Sequence, residues 1–119
     1  MGLTFLKLRV INPARPRSAE TLEFLIDTGA VYPVVPRRVL SRLGIEPDRT
    51  DEFTLADGSH TRRKVGGAVF ELDDRRGPSP VIFGEEHDAT LVGAVTLEAL
   101  GLMIDPFKRQ LRPLQMLLV

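Results

Sequence analysis

The 119-residue chain contains no cysteine. That absence excludes disulfide frameworks, thiolate metal sites and thiol nucleophiles together. A surplus of positive charge is missing too. Sixteen Lys and Arg face sixteen Asp and Glu, whereas a nucleic-acid binder normally carries a basic excess to displace counterions from phosphates, so no nucleic-acid partner is expected. No apolar run approaches the ~20 residues of a membrane span, and no membrane is expected. Met1 to Val10 holds Lys7 and Arg9 but no long apolar core, so it does not read as a signal peptide, and Leu6 stands where N-myristoylation wants Ser or Thr. His60 and His87 are far apart with no ligand spacing, which points to surface or hydrogen-bonded structural roles and to no metal site. What is present is ordinary globular composition, 43% hydrophobic and 27% charged. The expectation is one domain over residues 1–119, in the cytoplasm.

Apolar residues alternate from Leu3 to Val10 with a slip between Phe5 and Leu6, reading as a strand with a bulge. Pro13 to Ser18 reads as a basic loop, and Thr21 to Ile26 as a second strand buried on both faces at Phe24-Leu25-Ile26. Pro36 to Leu43 has helical spacing with Gly44 as its stop. Phe53-Thr54-Leu55 and Thr61 to Leu72 flank a hairpin turn at Asp57-Gly58, and Gly66-Gly67 marks a bulge or a close backbone approach. Asp73 to Pro78 reads as an exposed charged turn, Val81-Ile82-Phe83 as a strand, and Thr96 as the N-cap of a helix over Leu97 to Leu100. Leu102-Met103-Ile104 is a further strand, and Leu111 to Val119 an apolar end. The pattern is all-β with one or two short helices. It also repeats weakly: each half runs strand, glycine turn, short helix and strand, first around Asp27-Thr28-Gly29 and again around Leu91-Val92-Gly93.

Chemistry concentrates at Phe24-Leu25-Ile26-Asp27-Thr28-Gly29-Ala30. A carboxylate straight after three large apolar residues reads as a buried acid, costly unless it is partnered or useful. Gly29 permits a tight turn that brings backbone N–H groups to the carboxylate, Thr28 adds a hydroxyl, and Ala30 leaves room for a close approach. The plain alternative is a strand-ending turn, which Asp-Thr-Gly also suits. Metal-free peptide hydrolysis needs a base for the water and an acid for the carbonyl oxygen. Two adjacent carboxyls sharing a proton supply both. The chain has one Asp-Thr-Gly and no second such motif, so a catalytic Asp27 requires its mate from a twofold-related subunit.

From Thr21 to about Pro113 the sequence resembles the retroviral-type (retropepsin-like) aspartic proteases, in particular their small single-domain non-viral members. Phe24 to Ala30 matches the catalytic motif. Leu91-Val92-Gly93 followed by Leu97, Leu100 and Gly101 matches the family's second signature, and Ala56-Asp57-Gly58-Ser59 sits where the family carries its flap. The resemblance implies a closed β-barrel fold, an obligate homodimer, an extended peptide or protein substrate in the cleft between subunits, no cofactor, and aspartic endopeptidase activity. It makes Asp27 catalytic, Thr28, Gly29 and Ala30 the supports of its loop, and the apolar C-terminal residues a strand in the subunit interface. The chain departs from the pattern at Pro33, where the family has a small hydroxyl residue, and at Val31 and Ala94, where viral members have an acid–arginine pair.

Two readings remain open for the flap segment, since Asp57-Gly58-Ser59 is equally a plain exposed hairpin. The adjoining run Arg62-Arg63-Lys64 reads as a solvated strand face. The alternative to a protease is a non-catalytic homodimer of the same fold that holds an extended peptide by strand addition.

Overall fold

Leu6, Leu8 and Val10 are buried while Phe5, Lys7 and Arg9 face out. This period of two is what a half-buried strand requires, and it makes β1 (Phe5–Asn12). The computed structural model describes residues 5–118. In chain order β2 (Arg15–Ile26), β3 (Val34–Pro36), helix α1 (Arg37–Arg42), β4 (Arg49–Thr54), β5 (His60–Leu72), β6 (Arg75–Gly84), β7 (Leu91–Val92), helix α2 (Ala94–Ala99), β8 (Leu102–Ile104) and β9 (Leu111–Pro113) follow. Seven strands form one sheet in the order β1-β2-β7-β3-β6-β5-β4, and β1 also pairs with β5. The pairing of six strands therefore returns on itself, while β4 is the outer arm of the β4–β5 hairpin. β8 and β9 make a separate ribbon. The fold is all-β with two short helices. Among the described residues no helix is long and apolar enough to cross a membrane.

The strands leading into the two glycine turns pair in parallel, β2 with β7, so that Leu25 lies opposite Leu91 and Ile26 opposite Val92. Parallel strands need cover on both faces. Phe24, fully buried, meets Phe70 of β5 edge to face with centroids 6.0 Å apart. Leu40 of α1 and Leu97 of α2 join Leu8, Val35 and Val92 in the same cluster. Each large side chain so buried contributes about 1.5–3 kcal/mol relative to exposure. The core thus fixes the strand ends from which the Asp27 and Gly93 turns depart.

Several local expectations need correction. The register of β1 against β2 is unbroken from Phe5, and its irregularity falls at Ile11/Asn12; Leu3 and Thr4 lie outside the described residues. The stretch read as a basic loop is mostly strand from Arg15 onward. Pro16 is tolerated there because the register jumps from Ala19 to Arg15, leaving residues 16–18 without a ladder partner. The charged turn is only Asp73-Asp74; β6 begins at Arg75, and Gly77 lies buried against the Ala99 carbonyl of α2. Thr96 is not an N-cap. Gly93 holds that place, and Thr96 is fully buried with its hydroxyl 3.1 Å from that of Ser79. Pro36 caps α1 and does not open it, and Leu55 lies beyond β4. Gly66-Gly67 is a close approach and not a bulge, since a Cβ on Gly66 would lie 2.8 Å from the Glu46 carbonyl oxygen. At the end of the chain only Leu111–Pro113 is strand, and Met116, Leu117 and Leu118 are exposed.

Candidate active site

β2 delivers Asp27 at the point where its parallel partner β7 ends. The Asp27 N–H donates to the Val92 carbonyl at 2.9 Å, the Ala30 N–H to the Asp27 carbonyl at 3.0 Å, and the Gly29 N–H to Asp27 Oδ1 at 3.0 Å. Asp, Thr and Gly serve this turn because the carboxylate caps an amide two residues on. Gly93 locks the turn from the other half of the molecule. A Cβ at that position would sit 2.3 Å from the Ala30 carbonyl oxygen and 3.2 Å from that of Asp27. The Asp27 turn and the Leu91-Val92-Gly93 signature, 66 residues apart at their aspartate and glycine, are thus one packed unit (93 − 27).

Asp27 itself is exposed, which corrects the expectation of a buried acid: Phe24 and Ile26 are buried, but the carboxylate emerges at the surface. Its Oδ2 has no partner among the described residues. Thr28 is exposed and lines a small hollow with Ala94, Leu97 and Leu114. Gly29 and Ala30, with Val31 and Tyr32, line a different cavity of about 290 Å³ whose opposite wall is the β4–β5 hairpin at Phe53, Leu55 and Thr61. Val31 and Leu55 are exposed apolar residues on its two sides.

The hairpin carries Asp57, Gly58 and Ser59 at its tip, away from the lining of that cavity. Gly58 has φ +86°, a left-handed conformation that favours glycine. The Ser59 hydroxyl and N–H both donate to Asp57 Oδ1, and they hold the Asp57 carboxyl below its ordinary value. At the base of the hairpin Arg63 donates from Nε and Nη2 to the two oxygens of Asp88, at 2.7 and 3.0 Å. Arg63 pulls the Asp88 carboxyl below its ordinary value against the opposing effect of burial, and the Glu85 N–H adds to the pull. Both side chains line the cavity.

A profile of the aspartyl proteases matches residues 13–103. The chain belongs to the retropepsin-like aspartyl protease family. Among solved structures, the protease of a simian foamy virus is similar at 19% identity, covering 74% of this chain and 87% of that one with a TM-score of 0.48. No curated protein matches.

In this aspartyl protease family member, Asp27, Thr28, Gly29 and Ala30 stand beside Leu91, Val92 and Gly93, while Asp57, Gly58 and Ser59 stand apart at a hairpin tip. The Arg63–Asp88 pair carries no signal in the local sequence. Arg63 sat inside a run read as solvated, yet its side chain is only 21% exposed. Its partner lies 25 residues away, so no local spacing announced the pair. His60 is exposed and lies 3.2 Å from Thr54 Oγ1. No cluster of three or more His, Asp or Glu able to hold a metal occurs among the described residues.

Proposed function

We propose that the chain is an aspartic endopeptidase whose active site forms between two copies, each supplying Asp27. The observation that carries this reading is the Asp27 carboxylate itself. It is presented at the surface by a turn fastened to Gly93, with one oxygen engaged by the Gly29 N–H and the other free of partners among the described residues. A rigidly held but half-satisfied carboxylate suits a partner that completes it across a twofold axis. Exposed Met116, Leu117 and Leu118 support a second copy as well, being large apolar side chains at a chain end with no cover of their own.

In the proposed mechanism the two Asp27 carboxyls share one proton and hold a water between them. The ionised carboxylate takes a proton from the water as it attacks the scissile carbonyl carbon. The protonated one donates to the carbonyl oxygen, giving a tetrahedral diol. Collapse of the diol breaks the C–N bond as a proton passes to the leaving amine. Thr28 and Gly29 hold the carboxylates in place, Ala30 leaves room for the substrate backbone, and Leu91, Val92 and Gly93 brace the turn from behind. The cavity beside Gly29 and Ala30, walled by Val31, Tyr32, Phe53 and Leu55, receives a substrate side chain. The hairpin tip at Asp57, Gly58 and Ser59 acts as a flap over the bound peptide.

The test is cleavage of a peptide library by the wild-type chain and by Asp27→Asn. Turnover that disappears with Asp27→Asn, while the protein still folds and self-associates, is the expected result. Undiminished cleavage rejects the assignment. No cleavage by either protein, together with dimers that still bind the peptides, leaves the non-catalytic peptide-binding module as the reading. A hydroxyl mimic of the tetrahedral state separates the two, because it binds far more tightly than its amide parent only where chemistry occurs.

A further inference from the structure

A second cavity, about 640 Å³, lies on the far face of the β4–β5 hairpin, between β5 and α1. Arg62 and Lys64 line it from β5, whereas Thr61 and Arg63 project to the cleft side, as alternation along a strand demands. Arg37 and Arg38 line it from α1, and Arg63 borders both cavities. Five of the chain's sixteen Lys and Arg thus edge one groove, in a protein whose total charge is zero. Glu85 is the one carboxylate in the lining, and it lies 3.8 Å from Arg37. Arg63 is engaged by Asp88. Glu52 faces Arg62 across the hairpin but keeps to His60, 3.8 Å away. Arg38, Arg62 and Lys64 have no ion-pair partner among the described residues.

A concave surface lined by one sign of charge concentrates its field and recruits the opposite sign. Guanidinium forks suit carboxylates in particular. Among the described residues the only aromatic one in the lining, Phe83, is buried, so they offer no platform on which bases could stack. We propose that this groove docks an acidic segment of a polypeptide, outside the cleft, on the protein that the enzyme cleaves. The substrate part of this proposal rests on the protease reading; the binding part does not. Continuity through Arg63 places such a segment next to the cavity beside Gly29 and Ala30, so a chain held in the groove is delivered to the cleft.

The experiment uses the full chain carrying Asp27→Asn, so that binding is measured without turnover. The probes are a fluorescein-labelled peptide of alternating Glu and Gly, its Lys–Gly counterpart, and an oligothymidylate of the same length, followed by anisotropy at low salt. The acidic peptide is expected to bind, to weaken about tenfold or more on Arg38→Glu with Lys64→Glu, and to weaken as salt rises toward 1 M. The Lys–Gly peptide is expected not to bind. Should the double reversal not fold, Arg38→Gln with Lys64→Gln replaces it, with a smaller loss expected in the same direction. Equal binding to the variant and the parent overturns the site. Tighter binding of the oligothymidylate than of the acidic peptide overturns the assigned partner in favour of a nucleic acid. Acidic-peptide binding by a wild-type chain that cleaves nothing keeps the groove and removes the protease reading, whereas cleavage with no acidic-peptide binding does the reverse.

Discussion

Replacing Gly93 by alanine tests the join between the two halves of the candidate site. The added Cβ would sit 2.3 Å from the Ala30 carbonyl oxygen and 3.0 Å from its carbonyl carbon. The first distance is about 1 Å short of the ~3.3 Å at which carbon and oxygen ordinarily meet. The obstructing atoms are backbone, so no side chain can swing aside, and the Asp27 turn must move bodily. Overpacking of this kind costs about 1–3 kcal/mol. Taking about 2 kcal/mol, and an unfolding entropy of about 2.1 cal/mol/K per residue over 119 residues, Tm falls by roughly 8 °C. Displacing a catalytic group by about 1 Å costs on the order of a hundredfold in rate, so peptide cleavage is expected to fall further than stability does. Gly67→Ala is the matched control, because a Cβ there meets nothing within 4 Å and is expected to leave Tm unchanged or slightly raised. Thermal unfolding at fixed protein concentration and peptide cleavage are measured for both. A Gly93→Ala protein as stable and as active as Gly67→Ala refutes the packed-unit argument.

Two further outcomes follow from the same structure. Asp88, Glu71 and Asp105 all have carboxyls held below their ordinary values, by Arg63, by Arg76 with Arg9, and by the Lys108 and Phe107 N–H groups respectively. A depressed folded-state value stabilises at pH above the unfolded value and loses that contribution as pH falls through the folded one. Tm is therefore expected to drop as pH falls below about 4, and Asp88→Asn to lower Tm near neutrality while flattening part of that acid limb; an unchanged pH profile in the variant contradicts the pairing. Thr96→Val removes a fully buried hydroxyl that meets Ser79 at 3.1 Å, and is expected to cost about 1 kcal/mol in urea unfolding; a neutral or stabilised variant would show that the hydroxyl pair contributes nothing.

Features with short-range signals are legible in the sequence. Alternation from Leu6 to Val10 marks the first strand, the Asp57-Gly58 turn marks its hairpin with Thr61 to Leu72 as the returning strand, and the aspartate motif marks its turn. Errors arose where a distant partner overrides local preference. Pro16 reads as a breaker until the skipped register of β1 and β2 spares it a donor. The charged residues Arg75 and Arg76 read as a turn until the length of β5 recruits them as strand. Thr96 reads as a cap until Ser79, from another element, takes up its hydroxyl. The exposure of Asp27 was hidden for a related reason: its apolar neighbours Phe24 and Ile26 face the core, but the strand ends before the carboxylate does. The Arg63–Asp88 pair and the cationic groove are products of topology, since β5, α1 and the 85–88 turn meet only once the sheet has formed.

The proposed dyad leaves each chain with half of an active site, one Asp27 carboxyl. A covalently linked dimer with Asp27→Asn in one half and the wild-type residue in the other tests it most directly, against a linked dimer carrying Asp27 in both. With one carboxylate gone, the remaining one cannot serve as base and acid together, and peptide cleavage is expected to fall by about a hundredfold or more while the dimer stays folded. Retention of half the activity would mean that each subunit works alone and that no dyad forms between them.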